Sequence, residues 1–496
     1  MKAHRTRARF CFFGESWIAG WKLLLILAIA GLPAVSVAAS PDGAKRPNFV
    51  LVLGEGHGWS STSVQMDDAV PESKSSIVRT PNLEKLSQAG MRFADFYAPS
   101  PRCTPSRAAL LTGKSPAQLH ITFVAEGKKE AAALVNSRML PPPDSTELSA
   151  TETTIAAVLK QAGYATAHFG KWHMGRTDPS RYGFDASDGP TSNGGPDNVD
   201  NPHPKQLYGM TERGMEFMTG AVQAGKPFYL QLSHYASRRG GDTLPETVAE
   251  VRRWDGGLSE DEIGMAAADL DLDIALGMVL KRLDQLGIAK NTYVIFTTDH
   301  GTPGRNPPFS GGKGTVWEGG LRVPFVIRGP GIRPGVCSHV RTIGQDLFPT
   351  IAELAHVAER LPAGVEGGSL VPVLENGGLG AVRRPREEFV AHFPHYDKDP
   401  VGPASAILLG DFKLIRVYET GSLRLFNLSE DPGERRDLAA EMPDKAATLN
   451  RRLSDYLAAV GAQMPTVNPD YDPGKPSNTG YQRKDRGKDK GGRRAQ

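Results

Sequence analysis

Cys103-Thr104-Pro105-Ser106-Arg107 concentrates more chemistry in five residues than any other stretch of this chain, and a helix-like run to Thr112-Gly113 follows it directly. Pro105 suits the first turn of a helix, where its missing N–H costs nothing. Gly113 suits the end of that helix. The spacing therefore places Cys103 at a helix N-terminus, where free N–H groups and the helix dipole favour an anion. Arg107 lies one turn further on and can aim its guanidinium at the same spot. A cysteine so placed is a candidate nucleophile beside an anion site. The plainer reading is a buried cysteine ahead of an ordinary helix.

Three other segments carry charged or metal-type residues just past apolar strands. Glu55 follows Phe49 to Leu53, Lys171 and His173 follow Ala165 to Gly170, and Asp299-His300 follows Thr292 to Thr298. Open α/β sheets take their ligands at the carboxyl ends of strands, so the three segments are expected to meet at one edge. Strand-end polarity explains any one of them; their convergence favours a site. Carboxylates such as Glu55 and Asp299 suit a hard cation such as Ca²⁺. His57 does not replace a carboxylate there, since imidazole nitrogen suits softer metals.

Cys103 to Arg107 also resembles the C-x-P-x-R signature of the sulfatase family. Four more blocks of that family are matched in order: Arg46-Pro47-Asn48-Phe49-Val50-Leu51-Val52-Leu53, Gly170-Lys171-Trp172-His173-Met174-Gly175, Thr297-Thr298-Asp299-His300-Gly301, and the run from Gly311 to Gly320 that holds Lys313 and Glu318. The resemblance covers roughly residues 46 to 465. It implies an alkaline-phosphatase-like α/β fold, with a mostly parallel central sheet sandwiched by helices and a small C-terminal antiparallel sheet plus helix. It also implies that Cys103 is oxidised to formylglycine by a formylglycine-generating enzyme or an anaerobic maturase. Ca²⁺ is then held by Glu55, Asp299 and His300. Cys103, Arg107, Lys171, His173 and Lys313 are the implied catalytic residues, His234 is a substrate-binding residue, and the implied partner is a sulfated small molecule or glycan.

Two departures stand out. The family carries two Asp after its first strand, where this chain reads Glu55-Gly56, so Asp67 or Asp68 is an alternative source of the missing carboxylate. Near Arg238 related sulfatases have a histidine that serves the leaving group; arginine does not give up its proton, which leaves His234 or Lys313 as the donor. His234 reads equally as a structural histidine. A phosphate or phosphonate ester hydrolase of the same superfamily and a non-catalytic sulfated-glycan-binding relative are the two competing readings.

The elements that position these residues are legible from their periodicity. Helices are expected at Pro81–Gly90, Thr154–Gly163, Met265–Leu286 and Asp444–Val460, with strands at Phe93–Tyr97 and Pro227–Leu232. A long surface loop spans 176–206. From residue 386 the pattern turns to short strands, Glu388–His392, Ala404–Leu409, Phe412–Tyr418 and Leu423–Asn427, which predict an antiparallel sheet. The expected domains are a catalytic body over 46–385, a C-terminal subdomain over 386–465, and a disordered basic tail over 466–496.

Residues 1–39 read as an export signal: a basic start at Lys2, Arg5, Arg7 and Arg9, an apolar run from Trp21 to Leu32, and a small-residue cleavage site at Val37-Ala38-Ala39. The apolar run is short for a membrane anchor, so the expected location is exported, periplasmic or secreted, with no membrane span after signal removal. The net charge of +3 hides a distribution of +4 over 1–39, +5 over 481–496 and −6 over the remainder. A mildly acidic body excludes a general nucleic-acid binder. Of three cysteines, Cys11 leaves with the signal. A Cys103–Cys337 bridge is conceivable from the count, but the sulfatase resemblance excludes it, because Cys103 must then stay open to modification.

Overall fold

A computed structural model describes residues 46–124, 136–143, 145–193, 206–235, 243–254, 256–304 and 306–477. The export signal, Arg238 and the Gly/Lys/Arg-rich end therefore lie outside the described residues. In chain order the strands are β1 (Asn48–Gly54), β2 (Met91–Phe93), β3 (Phe96–Tyr97), β4 (Met139–Leu140), β5 (Ala165–Gly170), β6 (Ala186–Ser187), β7 (Phe228–Ser233), β8 (Thr292–Thr298), β9 (Phe325–Arg328), β10 (Val336–Ser338), β11 (Thr342–Ile343), β12 (Phe389–Phe393), β13 (Ala404–Leu409), β14 (Phe412–Val417), β15 (Leu423–Asn427) and β16 (Thr466–Val467).

Eight of them form one twisted sheet in the order β10-β2-β9-β8-β1-β7-β5-β6. β1 runs parallel to both β7 and β8, and β5 runs parallel to β6 and β7; only β9 is antiparallel to its neighbours. Every residue of β1 is buried, as a strand covered on both faces requires. Its side chains alternate between two cores. Phe49, Leu51 and Leu53 join one cluster with Leu110, Leu111 and Phe348, while Val50 and Val52 join the other with Leu272, Leu276 and Val279 of the Glu260–Gln285 helix.

The C-terminal sheet is an antiparallel meander, β12-β13-β14-β15. One face packs on the Pro443–Ala459 helix through Ile407, Leu414, Leu425, Leu449 and Leu453. The other face packs on the main body: Phe389, Ala406 and Ile415 meet Tyr97, Val316, Leu321 and Ile343. This second contact brings the meander against the segments that flank Cys103 and Lys313.

Three expectations are corrected. The single strand expected over Phe93–Tyr97 is two strands, because Ala94 bonds to Ser338 and Asp95 pairs with Arg322, turning the chain so that β3 leaves the main sheet and pairs with β11. The 176–206 stretch is not loop throughout: Tyr182 and Phe184 bury in the core, and β6 extends the sheet edge. Of the expected tail, residues 466–477 are described, and Thr466–Val467 pair with Leu140 and Met139.

Candidate active site

The expected site residues stand at strand ends, on the Cys103–Thr112 helix or, for Lys313, in a glycine-rich loop, each for a local reason. The Cys103–Thr112 helix begins at an extended Arg102 and ends at Gly113, whose φ of 67° lets its N–H close on Ala109 O at 2.9 Å. Lys171 emerges from β5 through Gly170. A Cβ there would stand 2.0 Å from Ser233 O, so only glycine lets β5 approach β7 closely enough for Lys171 N to donate to that oxygen at 2.7 Å. His173 adopts φ 58°, a left-handed conformation unusual for a side-chain-bearing residue, held by its N–H on Thr191 O at 2.9 Å. Its Nδ1 lies 3.4 Å from Thr104 Oγ1, one residue from Cys103. Lys313 N donates to Thr302 O, and Gly314 N to Pro101 O, so the glycine-rich loop is tied to both the β8 end and the approach to Cys103.

Cys103, Lys171 and Lys313, together with Arg107 and His300, converge on Glu55, which is 2% exposed. Its Oε1 lies 3.2 Å from Cys103 Sγ, 3.0 Å from Lys313 Nζ and 3.4 Å from His300 Nε2. Its Oε2 accepts from Lys171 Nζ at 2.9 Å and Arg107 Nη2 at 3.2 Å. Arg107 spans the centre: Nε donates to Asp299 Oδ2 at 3.0 Å and Nη1 to Lys171 O at 2.6 Å. His300 Nε2 sits 3.1 Å from Cys103 Sγ and 3.4 Å from Asp299 Oδ1. Its other nitrogen, Nδ1, is 2.9 Å from Gly301 O; that contact assigns the proton to Nδ1 and turns Nε2 toward the acids. Asp299 Oδ1 also accepts the Gly56 N–H at 3.0 Å. Gly56 thus serves through its backbone at the position where the resemblance leads one to expect a carboxylate.

The electrostatics follow from this cage. Burial opposes ionisation of Glu55, but Lys171, Lys313 and His300 outweigh it and hold the carboxyl well below its usual range. Burial and Glu55 likewise oppose ionisation of Cys103, yet Lys171, Lys313 and His300 hold the thiol well below its usual value. Burial, then Glu55, raises Asp299. Burial works against the charge on His300, but Asp299 and the other anions raise it to about 9.

His234 is brought to the edge of this cluster through its backbone, whose oxygen accepts from Arg107 Nη2 at 3.5 Å. Its ring is buried, Nδ1 has no hydrogen-bond partner among the described residues, and burial, His57 and Arg107 push its pKa down to about 3. A ring held neutral in this way is a weak proton donor. The alternative carboxylates are elsewhere: Asp68 pairs with Arg92, and Asp67 Oδ1 accepts from Ala69 N. His57 Nδ1 stands 2.7 Å from Asp269 Oδ1. Cys103 and Cys337 are both free thiols. One contact has no sequence signal: Asp397, from the loop after β12, holds Arg102 beside Cys103.

The donor set fits a divalent cation. Glu55, Asp299, His300 and Cys103 each offer one ligand atom, and these atoms all lie within 4.8 Å of one another.

Comparison with known proteins gives the same outline. A family model described as Sulfatase matches residues 47–357, and one described as N-sulphoglucosamine sulphohydrolase, C-terminal, matches 312–463. N-acetylgalactosamine-6-sulfatase of Canis lupus familiaris is 30% identical over 402 residues, covering 73% of this chain and 71% of that protein. Arylsulfatase A of Homo sapiens is 30% identical over 474 residues, covering 82% and 85%. The crystal structure of Ps i-CgsB in complex with k-i-k-neocarrahexaose superposes with a TM-score of 0.66 at 22% identity, over 83% of this chain and 93% of that one.

Proposed function

The chain belongs to the sulfatase family of sulfuric ester hydrolases, and from that premise we propose that it is an exported enzyme that removes sulfate from sulfated carbohydrates at Cys103, working with a divalent cation. The observation that carries this reading is the buried cage itself: Cys103 at a helix start, within 3.7 Å of Glu55, His300 and Lys313 together. A carbohydrate substrate is supported by the names of an N-acetylgalactosamine-6-sulfatase relative and of the structure holding a neocarrahexaose. Export is supported by the basic start, apolar run and small-residue site of residues 1–39. Among the described residues no helix is long and apolar enough to cross a membrane.

Formylglycine at position 103, when formed, supplies a hydrated aldehyde as nucleophile toward sulfur, and a cation held by Glu55, Asp299 and His300 supplies charge for its deprotonation. The chain's own residues do the rest. Lys313, the least buried of the cage cations with a side chain 16% exposed, stands on the approach side and binds a sulfate oxygen. Lys171 and Arg107 offset the charge that grows on the sulfuryl oxygens. Burial opposes the charge on Lys313, but Cys103, Glu55 and Asp299 raise its pKa, and Glu55 and Asp299 remain once position 103 is an aldehyde, so it stays a cationic hydrogen-bond donor toward the leaving oxygen. His173, whose Nδ1 lies 3.4 Å from Oγ1 of the neighbouring Thr104, takes a proton from position 103 as sulfate departs.

The test is sulfate release from a panel of sulfated monosaccharides and disaccharides, beside the matching phosphate esters, with peptide mass spectrometry of the Cys103 segment. Active protein carries an aldehyde at position 103 and turns over sulfated sugars. Full activity with only the thiol present refutes the proposed nucleophile, and preferential turnover of phosphate esters refutes the proposed substrate class.

A further inference from the structure

We propose that the chain with Cys103 left as cysteine is a zinc–thiolate protein, with Cys103 Sγ, His300 Nε2, Asp299 Oδ1 and Glu55 Oε1 forming one four-donor Zn²⁺ site. The proposal concerns the unconverted chain, so it stands or falls apart from the sulfatase activity of the converted one. One sulfur, one imidazole nitrogen and two carboxylate oxygens are a borderline-soft set that suits Zn²⁺ far better than Ca²⁺, which takes six to eight oxygens.

The spacing supports it. On a tetrahedron with Zn–S of about 2.3 Å and Zn–N or Zn–O of about 2.0–2.2 Å, ligand atoms stand roughly 3.3–3.6 Å apart. The structure has His300 Nε2 at 3.4 Å from both Asp299 Oδ1 and Glu55 Oε1, and Cys103 Sγ at 3.1 Å from His300 Nε2 and 3.2 Å from Glu55 Oε1. These two sulfur edges need to open by a few tenths of an ångström, and the four ligand atoms all lie within 4.8 Å of one another, so the two edges that join Asp299 to Cys103 and to Glu55 close by about an ångström at most.

The surroundings already hold each ligand in a metal-binding attitude. His300 Nδ1 on Gly301 O fixes the tautomer that leaves Nε2 as the donor. Lys171 and Arg107 engage Glu55 through Oε2, and Arg107 engages Asp299 through Oδ2, so the opposite oxygens face the centre. Lys313 is the competitor. Its Nζ lies 3.0 Å from Glu55 Oε1 and 3.7 Å from Cys103 Sγ, so it must withdraw as Zn²⁺ enters. Zn²⁺ forms bonds to sulfur and to Nε2, and any proton on those atoms passes to buffer; no electron transfer is involved. Oxidation of Cys103 removes the sulfur ligand and with it the preference for zinc.

The experiment uses the full chain produced without a maturation enzyme, with the thiol at Cys103 confirmed by mass spectrometry. Co²⁺ is the optical probe and Zn²⁺ is titrated by calorimetry. The expected result is one site, a sulfur-to-cobalt charge-transfer band in the near ultraviolet, displacement of Co²⁺ by Zn²⁺, and Zn²⁺ binding weaker by about a hundredfold or more in Cys103→Ser. Lys313→Met is expected to bind Zn²⁺ more tightly than the parent. Thermal melts with and without Zn²⁺ keep the test valid should Cys103→Ser fold poorly: the parent gains stability with Zn²⁺, while a Ca²⁺-only gain overturns the proposal. Absence of the charge-transfer band, or equal Zn²⁺ affinity in parent and Cys103→Ser, also overturns it.

Discussion

Arg102, the residue directly before Cys103, donates through Nε to Asp397 Oδ2 at 2.5 Å, across 295 positions of sequence. A second bond joins Arg102 Nη2 to Asp397 Oδ1, making the pair bidentate. Asp397 sits in the loop after β12, so the C-terminal meander reaches the start of the Cys103–Thr112 helix.

Asp397→Asn should therefore lower kcat by about tenfold while KM moves less, since small misplacement of a reacting group is costly. The residues proposed to bind sulfate are untouched by the change. Steady-state kinetics together with a thermal melt check it: a loss confined to stability, with kcat intact, would show that the pair only fastens the meander to the body.

Arg107→Lys keeps the charge and discards the geometry. Arginine serves Asp299, Glu55 and Lys171 O at once, from three nitrogens. An ammonium on a flexible stem reproduces one of these at a time. Activity is expected to fall by about a hundredfold or more, with the fold retained by circular dichroism. Near-normal turnover in this variant would mean that charge alone suffices at position 107.

Glu434 offers a pH signature away from the site. Lys413, in β14, is wholly buried between Glu318 and Glu434, at 2.9 Å and 2.7 Å. Burial raises Glu434 to about 7 despite Lys413, with Glu318 adding to the rise. The folded form thus holds its proton more tightly than the unfolded form, whose carboxyl titrates near 4.5. The resulting stability is fully present below about pH 4.5 and is lost as pH rises through about 7. Glu434→Gln stays neutral throughout, so its melting temperature should gain on the parent across that window. A constant difference from pH 4.5 to 8 would refute the assignment.

The parts of the site written locally were legible in the sequence. Apolar runs ending in Glu55, Lys171 and Asp299 each encode a strand and the residue it delivers, and Pro105 with Gly113 brackets the Cys103 helix. What escaped was non-local. Phe93 to Tyr97 reads as one strand because its break depends on Ser338 and Arg322, far along the chain. Lys413 sits in an apolar strand and looks like a solvated cation until Glu318 and Glu434 are brought to it. Asp397 belongs to a polar turn with no periodicity, and only the docking of the meander on the body gives it a role.

Glu55 and Gly56 carry the last prediction. Glu55 is the acid on which Lys171, Lys313 and Arg107 all converge, so Glu55→Gln leaves the buried Lys171 and Arg107 and the partly buried Lys313 with one carboxylate, Asp299, among them. Breaking buried pairs of this kind costs about 3–5 kcal/mol, and divalent-cation affinity should fall at least about tenfold, because hard cations follow carboxylate charge. Gly56 has φ 62°, which glycine tolerates and aspartate adopts at a cost of about 1 kcal/mol. Its N–H on Asp299 Oδ1 survives substitution, since the backbone donor is unchanged. Gly56→Asp should thus be slightly less stable without metal, yet bind Ca²⁺ more tightly, as the new carboxylate joins the two already present. Calorimetric Ca²⁺ titration of parent, Glu55→Gln and Gly56→Asp, with melts of each metal-free form, separates the two effects. Asp67 and Asp68 are engaged with Ala69 and Arg92, so unaltered Ca²⁺ affinity in Glu55→Gln would move the cation off Glu55 altogether, onto Asp299 and His300 alone.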